Sequence, residues 1–202
     1  MSEQRDKNLW IFNAGNSFAG NPKWMFEYII RHHKEIKPVW MCYNADTMNY
    51  VHKLGYEAEL YHSSKGKSVM AKAGVYVVEM CKEVFQPELS GITVLNLWHG
   101  VGCKSIERKV TDGFLQERIA KKYIQNNDIL RNNQLFLVTS EIMEKHFKEQ
   151  CGIDDDKVIR AGYPRCVVND NIQSYDHDIR KKKGLSANTK LAIYCPTYRD
   201  NN

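Results

Sequence analysis

Four segments of this sequence, each directly after a short apolar run, hold glycines, hydroxyls, or basic or titratable side chains that could meet a ligand. The run TVLNLW, residues 93–98, leads into His99, Gly100 and Gly102. An imidazole titrates close to neutral pH, with an ordinary pKa of about 6.5, so His99 suits proton transfer. The backbone N–H groups of Gly100 and Gly102 could meet a developing oxyanion, with Lys104 adding positive charge. The plainer alternative is a buried structural histidine, and exposure at residue 99 separates the two. The second segment, Asn13 to Asn21, holds Asn16, Gly20 and Asn21 ahead of a helix announced by Pro22. The positive end of that helix faces the loop and could hold an anion. The loop is neither a G-x-G-x-x-G nor a Walker sequence, so a plain turn competes with that reading. In the third segment Arg165 follows Gly162, Tyr163 and Pro164, and its planar guanidinium could clamp a phosphate. The alternative is an arginine paired with a nearby acid. The fourth, Pro196 to Asp200, offers Thr197, Arg199 and a carboxylate.

These segments need a scaffold that gathers strand ends. Short apolar runs alternate with helical patterns along the chain. Strands are expected at Leu9 to Phe12, Val39 to Tyr43, Ala58 to Tyr61, Val75 to Val78, Thr93 to Trp98, Leu135 to Val138 and Val158 to Ala161. Helices are expected at Pro22 to His33, from Asp46 as N-cap to before Gly55, and at Ser64 to Ala73, Ile119 to Asn127 and Ser140 to about Gln150. Strands separated by helices imply parallel pairing through crossovers, hence an α/β Rossmann-like sheet. Ligands of such sheets collect beyond the carboxyl ends of the strands, where all four segments fall. A charged linker, 176–187, then precedes a strand at Leu191 to Cys195, which reads as the opening of a second domain.

Composition bounds the class. The 202 residues are 43% hydrophobic and 26% charged, which excludes a disordered or low-complexity chain. The net charge of +5 is too mild to imply a nucleic-acid partner. Residues 103–131 carry seven basic and four acidic side chains, more than half of the excess. There Leu115, Ile119 and Tyr123 recur every fourth position, with Arg118, Lys121 and Lys122 on other faces. Such a helix could lie on an anionic membrane surface, or it could pack its apolar stripe inward. No apolar run approaches the roughly 20 residues of a membrane span. The polar N-terminus lacks a signal-peptide core, and the cysteines at 42, 81, 103, 151, 166 and 195 form no C-x-x-C pair. Both point to a reducing cytoplasm. His32 and His33 suit a helix end, while His52, His62, His146 and His177 read as surface residues. No histidine has ligand spacing, so no metal site is expected.

Four motifs in order, GNPKWMFEYI, NLWHGVGCKSI, TSEIMEKHFKEQCGI leading to AGYPR, and YCPTYRD, resemble the CDP-glycerol glycerophosphotransferase family. These are teichoic acid polymerases and primases. The resemblance implies the first half of a two-domain GT-B glycosyltransferase fold. Residues 1–175 would form the acceptor-side domain, and 188–202 the opening strand of a donor-binding domain. It implies transfer of polyol phosphate from a CDP-polyol, glycerol phosphate above all, to a hydroxyl of a polymer or lipid-linked acceptor, releasing CMP. No cofactor is required. His99 falls on the family's catalytic base, and Lys104, Arg165 and Arg199 become candidates for countering phosphate charge. The implied location is the inner face of the cell membrane, with a C-terminal half or an oligomer as possible partner. A stand-alone module that binds acceptor, membrane or partner is the competing expectation. Two departures stand out: Val101-Gly102 where the family often has Thr-Pro, and Cys166-Val167 where it usually has Asn-Asp.

Overall fold

The computed structural model describes residues 4–80, 87–102, 106–125, 134–166 and 179–194. Seven strands, β1 (Asp6–Asn13), β2 (Lys37–Cys42), β3 (Ala58–Leu60), β4 (Ala73–Val78), β5 (Thr93–Asn96), β6 (Gln134–Val138) and β7 (Val158–Arg160), form one sheet. Every pairing is parallel, in the order β3-β2-β1-β4-β5-β6-β7. The expected α/β Rossmann-like architecture is therefore the observed one. The chain winds outward from β1 to β3, then returns to the other side of β1 with β4. The winding reverses between β1 and β4, and sheets of this kind gather ligands at the carboxyl ends of the strands beside such a reversal.

Helices α1 (Gly20–His32), α2 (Ala45–Lys53), α3 (Ser64–Lys72), α4 (Phe114–Gln125), α5 (Glu141–Cys151) and α6 (Ile179–Lys182) accompany the strands. Contacts divide the chain into a larger unit, Met1–Val167, and a smaller one, Val168–Asn202. Two apolar clusters fill the larger unit. One joins Phe12, Phe26, Trp40, Trp98, Phe136 and Phe147. Phe12 and Phe26 meet edge to face at 5.3 Å, as do Phe18 and Trp40 at 4.6 Å, the geometry aromatic quadrupoles favour. The other cluster packs Ile11, Met41, Met70, Tyr76 and Leu89. The clusters alternate along β1 and β2, with Phe12 and Trp40 in one and Ile11 and Met41 in the other, so both sheet faces are covered.

Several boundaries differ from those expected, each for a local reason. Helix α1 begins at Gly20, two residues before Pro22. Asn44, not Asp46, caps α2, its side chain accepting from the Thr47 N–H at 2.8 Å. Strand β5 stops at Asn96 instead of Trp98 because the Asn96 side chain accepts the Trp98 N–H at 3.0 Å. That bond turns the chain, and Trp98 adopts a left-handed φ of 52°. Helix α4 begins at Phe114, five residues early. Residues 191–194 have no regular secondary structure, so the strand expected from Leu191 does not form among the described residues. Helix α5 follows its sequence signals: Ser140 caps it, and Gly152 ends it at φ 67°.

Candidate functional site

Elements from across the larger unit meet at the Trp98-His99-Gly100 turn, just past β5. Trp98 is buried against Phe136 at 5.6 Å and Phe147 at 5.2 Å. The His99 ring is exposed and stacks on Trp98, with centroids 4.4 Å apart and planes 28° from parallel. A buried structural histidine is thereby excluded at this position. Three consecutive backbone carbonyls of the turn each accept from a different side chain. The Asn21 amide donates to the Trp98 carbonyl at 2.8 Å. The Arg165 Nη1 donates to the His99 carbonyl at 2.6 Å. The Tyr163 hydroxyl donates to the Gly100 carbonyl at 2.9 Å. Burial pushes the Tyr163 phenol above its ordinary value, against the opposing influence of Arg165, so it stays protonated and donates at neutral pH.

Arg165 sits in a 3-10 turn, Pro164–Cys166, beyond β7. Its guanidinium lies over the Tyr163 ring at 5.2 Å and remains exposed. Among the described residues no carboxylate pairs with it, so the expected alternative, an arginine neutralised by an acid, is not what forms. One nitrogen is committed to the His99 carbonyl, and among the described residues no carboxylate engages the rest of the fork.

The glycine-bearing loop after β1 behaves otherwise. Glu79, just past β4, accepts the Asn21 N–H at 2.7 Å and so caps α1 in place of Ala19, which has no polar side chain. A Cβ on Gly20 would lie 1.7 Å from the Glu79 Oε1. A carboxylate of the protein itself thus occupies the helix end where an anion was expected. Asn21 is wholly buried, so its side chain supports the site and does not face solvent. Asn16 is exposed, and its carbonyl accepts from the Thr47 hydroxyl at 2.9 Å.

The turn continues along α5. His146 and Gln150, one helical turn apart, face the chain at Gly102 and Ile106. A Cβ on Gly102 would lie 2.7 Å from the His146 Nε2, and the Ile106 N–H donates to Gln150 at 2.7 Å. His146 is no surface residue as expected: its Nε2 is buried, with no hydrogen-bond partner among the described residues. Lys104 lies between these two anchor points but outside the described residues, as do Thr197 and Arg199. The turn therefore unites His99, Gly100, Gly102 and Arg165, with Asn21 beneath. Sequence reading missed Glu79, Tyr163 and His146 as partners of the turn. Position just past a strand was the only signal for Glu79, while Tyr163 stood beside Arg165 in the AGYPR motif without a role of its own.

A surface depression of about 500 Å³ beside α5 is lined by Glu141, Glu144, Lys145, Lys148, Glu149 and Arg160. Glu144 there already receives Arg160 at 2.6 and 2.7 Å and Lys148 at 2.8 Å. Among the described residues no group of three or more His, Cys, Asp or Glu could hold a metal ion. No helix among them is long and apolar enough to cross a membrane.

Comparison with known proteins places the fold and the motifs together. The family model for CDP-Glycerol:Poly(glycerophosphate) glycerophosphotransferase matches residues 1–202. A teichoic acid poly(glycerol phosphate) polymerase of Bacillus subtilis (strain 168) is 25% identical over 200 residues, covering 92% of this chain and 25% of that protein. A teichoic acid glycerol-phosphate transferase of Staphylococcus aureus (strain NCTC 8325 / PS 47) is 22% identical over 210 residues, covering 99% of this chain and 52% of its own. The chain thus spans between a quarter and about half the length of these relatives. Among solved structures, the wall teichoic acid polymerase TagF superposes with a TM-score of 0.73 at 18% identity, over 97% of this chain and 49% of that one. A TagF variant soaked with CDPG gives 0.75 at 19% identity, over 99% and 50%.

Proposed function

From the premise that the chain belongs to the CDP-glycerol:poly(glycerophosphate) glycerophosphotransferase family, we propose that it forms the acceptor-side part of a transferase moving glycerol phosphate from CDP-glycerol to a polymer hydroxyl. The observation that carries the proposal is the exposed His99 imidazole on a turn whose His99 carbonyl is held by the Arg165 guanidinium, which no carboxylate among the described residues neutralises. His99 accepts the proton of the acceptor hydroxyl. The freed oxygen attacks the β-phosphorus of the donor, the bond to CMP breaks, and CMP leaves. Arg165 offers the unused part of its fork to the phosphates, whose charge grows on the leaving group. Gly100 and Gly102 let phosphate approach the backbone. Lys104, Thr197 and Arg199 take phosphate contacts on the strength of their motifs. Residues 1–175 supply the acceptor side, 176–187 a linker, and 188–202 the start of a donor-binding half. That half comes from further chain or from a partner.

Helix α4 supports a location at the inner face of the cell membrane. Phe114 is 90% exposed and Leu115 49%, beside exposed Arg118 and Lys121. The same exposure favours the second reading, a module that binds membrane, acceptor or partner without catalysis. CMP release from CDP-glycerol and CDP-ribitol, with a lipid-linked acceptor, separates the two readings. Release by the chain, alone or with a companion half, should fall roughly 10²–10⁴-fold in His99→Ala. Silence of every mixture would favour the binding module.

A further inference from the structure

Asn21 joins four parts of the fold through one residue. Its backbone N–H reaches Glu79 past β4, its side-chain N–H reaches the Trp98 carbonyl past β5, and its side-chain oxygen accepts the Arg165 N–H at 3.3 Å past β7. It stands itself in the first turn of α1 with no exposed surface. The Trp98 carbonyl belongs to the peptide leading into His99. The Arg165 N–H belongs to the peptide leading into Arg165. One carboxamide therefore sets both peptide planes, and the Arg165 Nη1 closes the ring on the His99 carbonyl. The left-handed backbone of Trp98 needs such a tether, because a bulky residue leaves that conformation when released.

We propose that Asn21 is a positioning residue that fixes the separation of His99 and Arg165, acting through their backbones without touching substrate. The role in catalysis rests on the transferase reading above; the geometric claim does not. An apolar residue could fill the same space, but it would leave the buried Trp98 carbonyl and the partly buried Arg165 N–H without this partner. Glu79 sets the entry of α1 and so places Asn21 itself.

The test uses the full 202-residue chain with Asn21→Ala and Asn21→Ser, whose shorter side chains cannot span both partners. Nuclear magnetic resonance follows the His99 ring protons, shifted upfield by the stacked Trp98 ring, and the Arg165 amide. The His52 ring, which bonds the Ala58 carbonyl beside α2, serves as control. In a cooperatively folded variant the His99 upfield shift should shrink by roughly half or more, and the Arg165 amide should move, with His52 unchanged. Where CMP release is measurable, kcat should fall roughly 10–100-fold with KM nearly constant, the mark of lost alignment. A folded variant with His99 and Arg165 signals in place overturns the proposal. So does failure of both variants to fold, which would make Asn21 a packing residue only. If the unaltered chain releases no CMP in any mixture, the transferase reading fails while the resonance shifts still decide the positioning claim.

Discussion

At the scale of single residues the site is a set of polar side chains spent on backbone atoms. Asn21, Tyr163 and Arg165 each hold one carbonyl, Asn96 holds the Trp98 N–H, and Glu79 holds the Asn21 N–H. The His99 ring stands apart, held by stacking alone among the described residues. Gly20 shows how closely the parts fit. Its φ of 69° disfavours a side chain, and an added Cβ would overlap the Glu79 carboxylate. Gly20→Ala should therefore destabilise the protein by roughly 1–3 kcal/mol, read as a lower urea midpoint with an unchanged slope. A variant as stable as the parent would show that Glu79 swings aside at little cost. At this scale the sequence pointed to the positions of His99 and Arg165, since both follow apolar runs, while a structural histidine and an acid-paired arginine fitted the same pattern until burial and partners were known. It was unreadable for Glu79. A lone glutamate after VYVV carries no mark of the helix it caps 58 positions earlier.

At the scale of elements, α4 contrasts with α1 and α5, which bury apolar residues such as Phe26 and Ile29 or Met143 and Phe147. Helix α4 leaves Phe114 and Leu115 open to solvent. Sedimentation with anionic vesicles should carry the chain down at low salt and release it as salt screens the basic side chains. Replacing Phe114 and Leu115 by serine should weaken sedimentation more than about tenfold, from the apolar area no longer inserted. Failure of the unaltered chain to sediment would assign the helix face to another occupant. The alternation of apolar runs and helical spacing located all seven strands, because a parallel sheet covered on both faces needs apolar runs in its strands, most of all in the central ones. The errors fall at the ends, where caps decide. Pro22 signalled α1 correctly but two residues late, since its true start depends on Glu79. Strand β5 was drawn through Trp98, since nothing local to LNLW reveals that Asn96 folds back on the chain.

At the scale of the whole molecule, the first described residues are bound to distant parts of it. The Arg5 guanidinium donates to the carbonyls of Met70, Ala73, Glu88 and Ser90, at 2.5 to 3.1 Å. Burial lowers its pKa from the ordinary arginine value. Arg5→Ala would leave four carbonyls short of a donor and should cost roughly 2–4 kcal/mol, seen as a fall in Tm. A shift of less than about 1 °C would mean that water replaces the guanidinium freely. The tethers on the Trp98-His99-Gly100 turn have the same long reach: Asn21 and Arg165 are 144 positions apart. Closing such loops is slow compared with forming local helices. During synthesis, β1 to β5 emerge well before residues 163–165, and until those arrive the turn lacks two of its three carbonyl donors. A strained left-handed tryptophan has little reason to hold its shape in that interval. The Trp98–His99 stack should therefore form late, making it a natural timer for completion of the whole sheet.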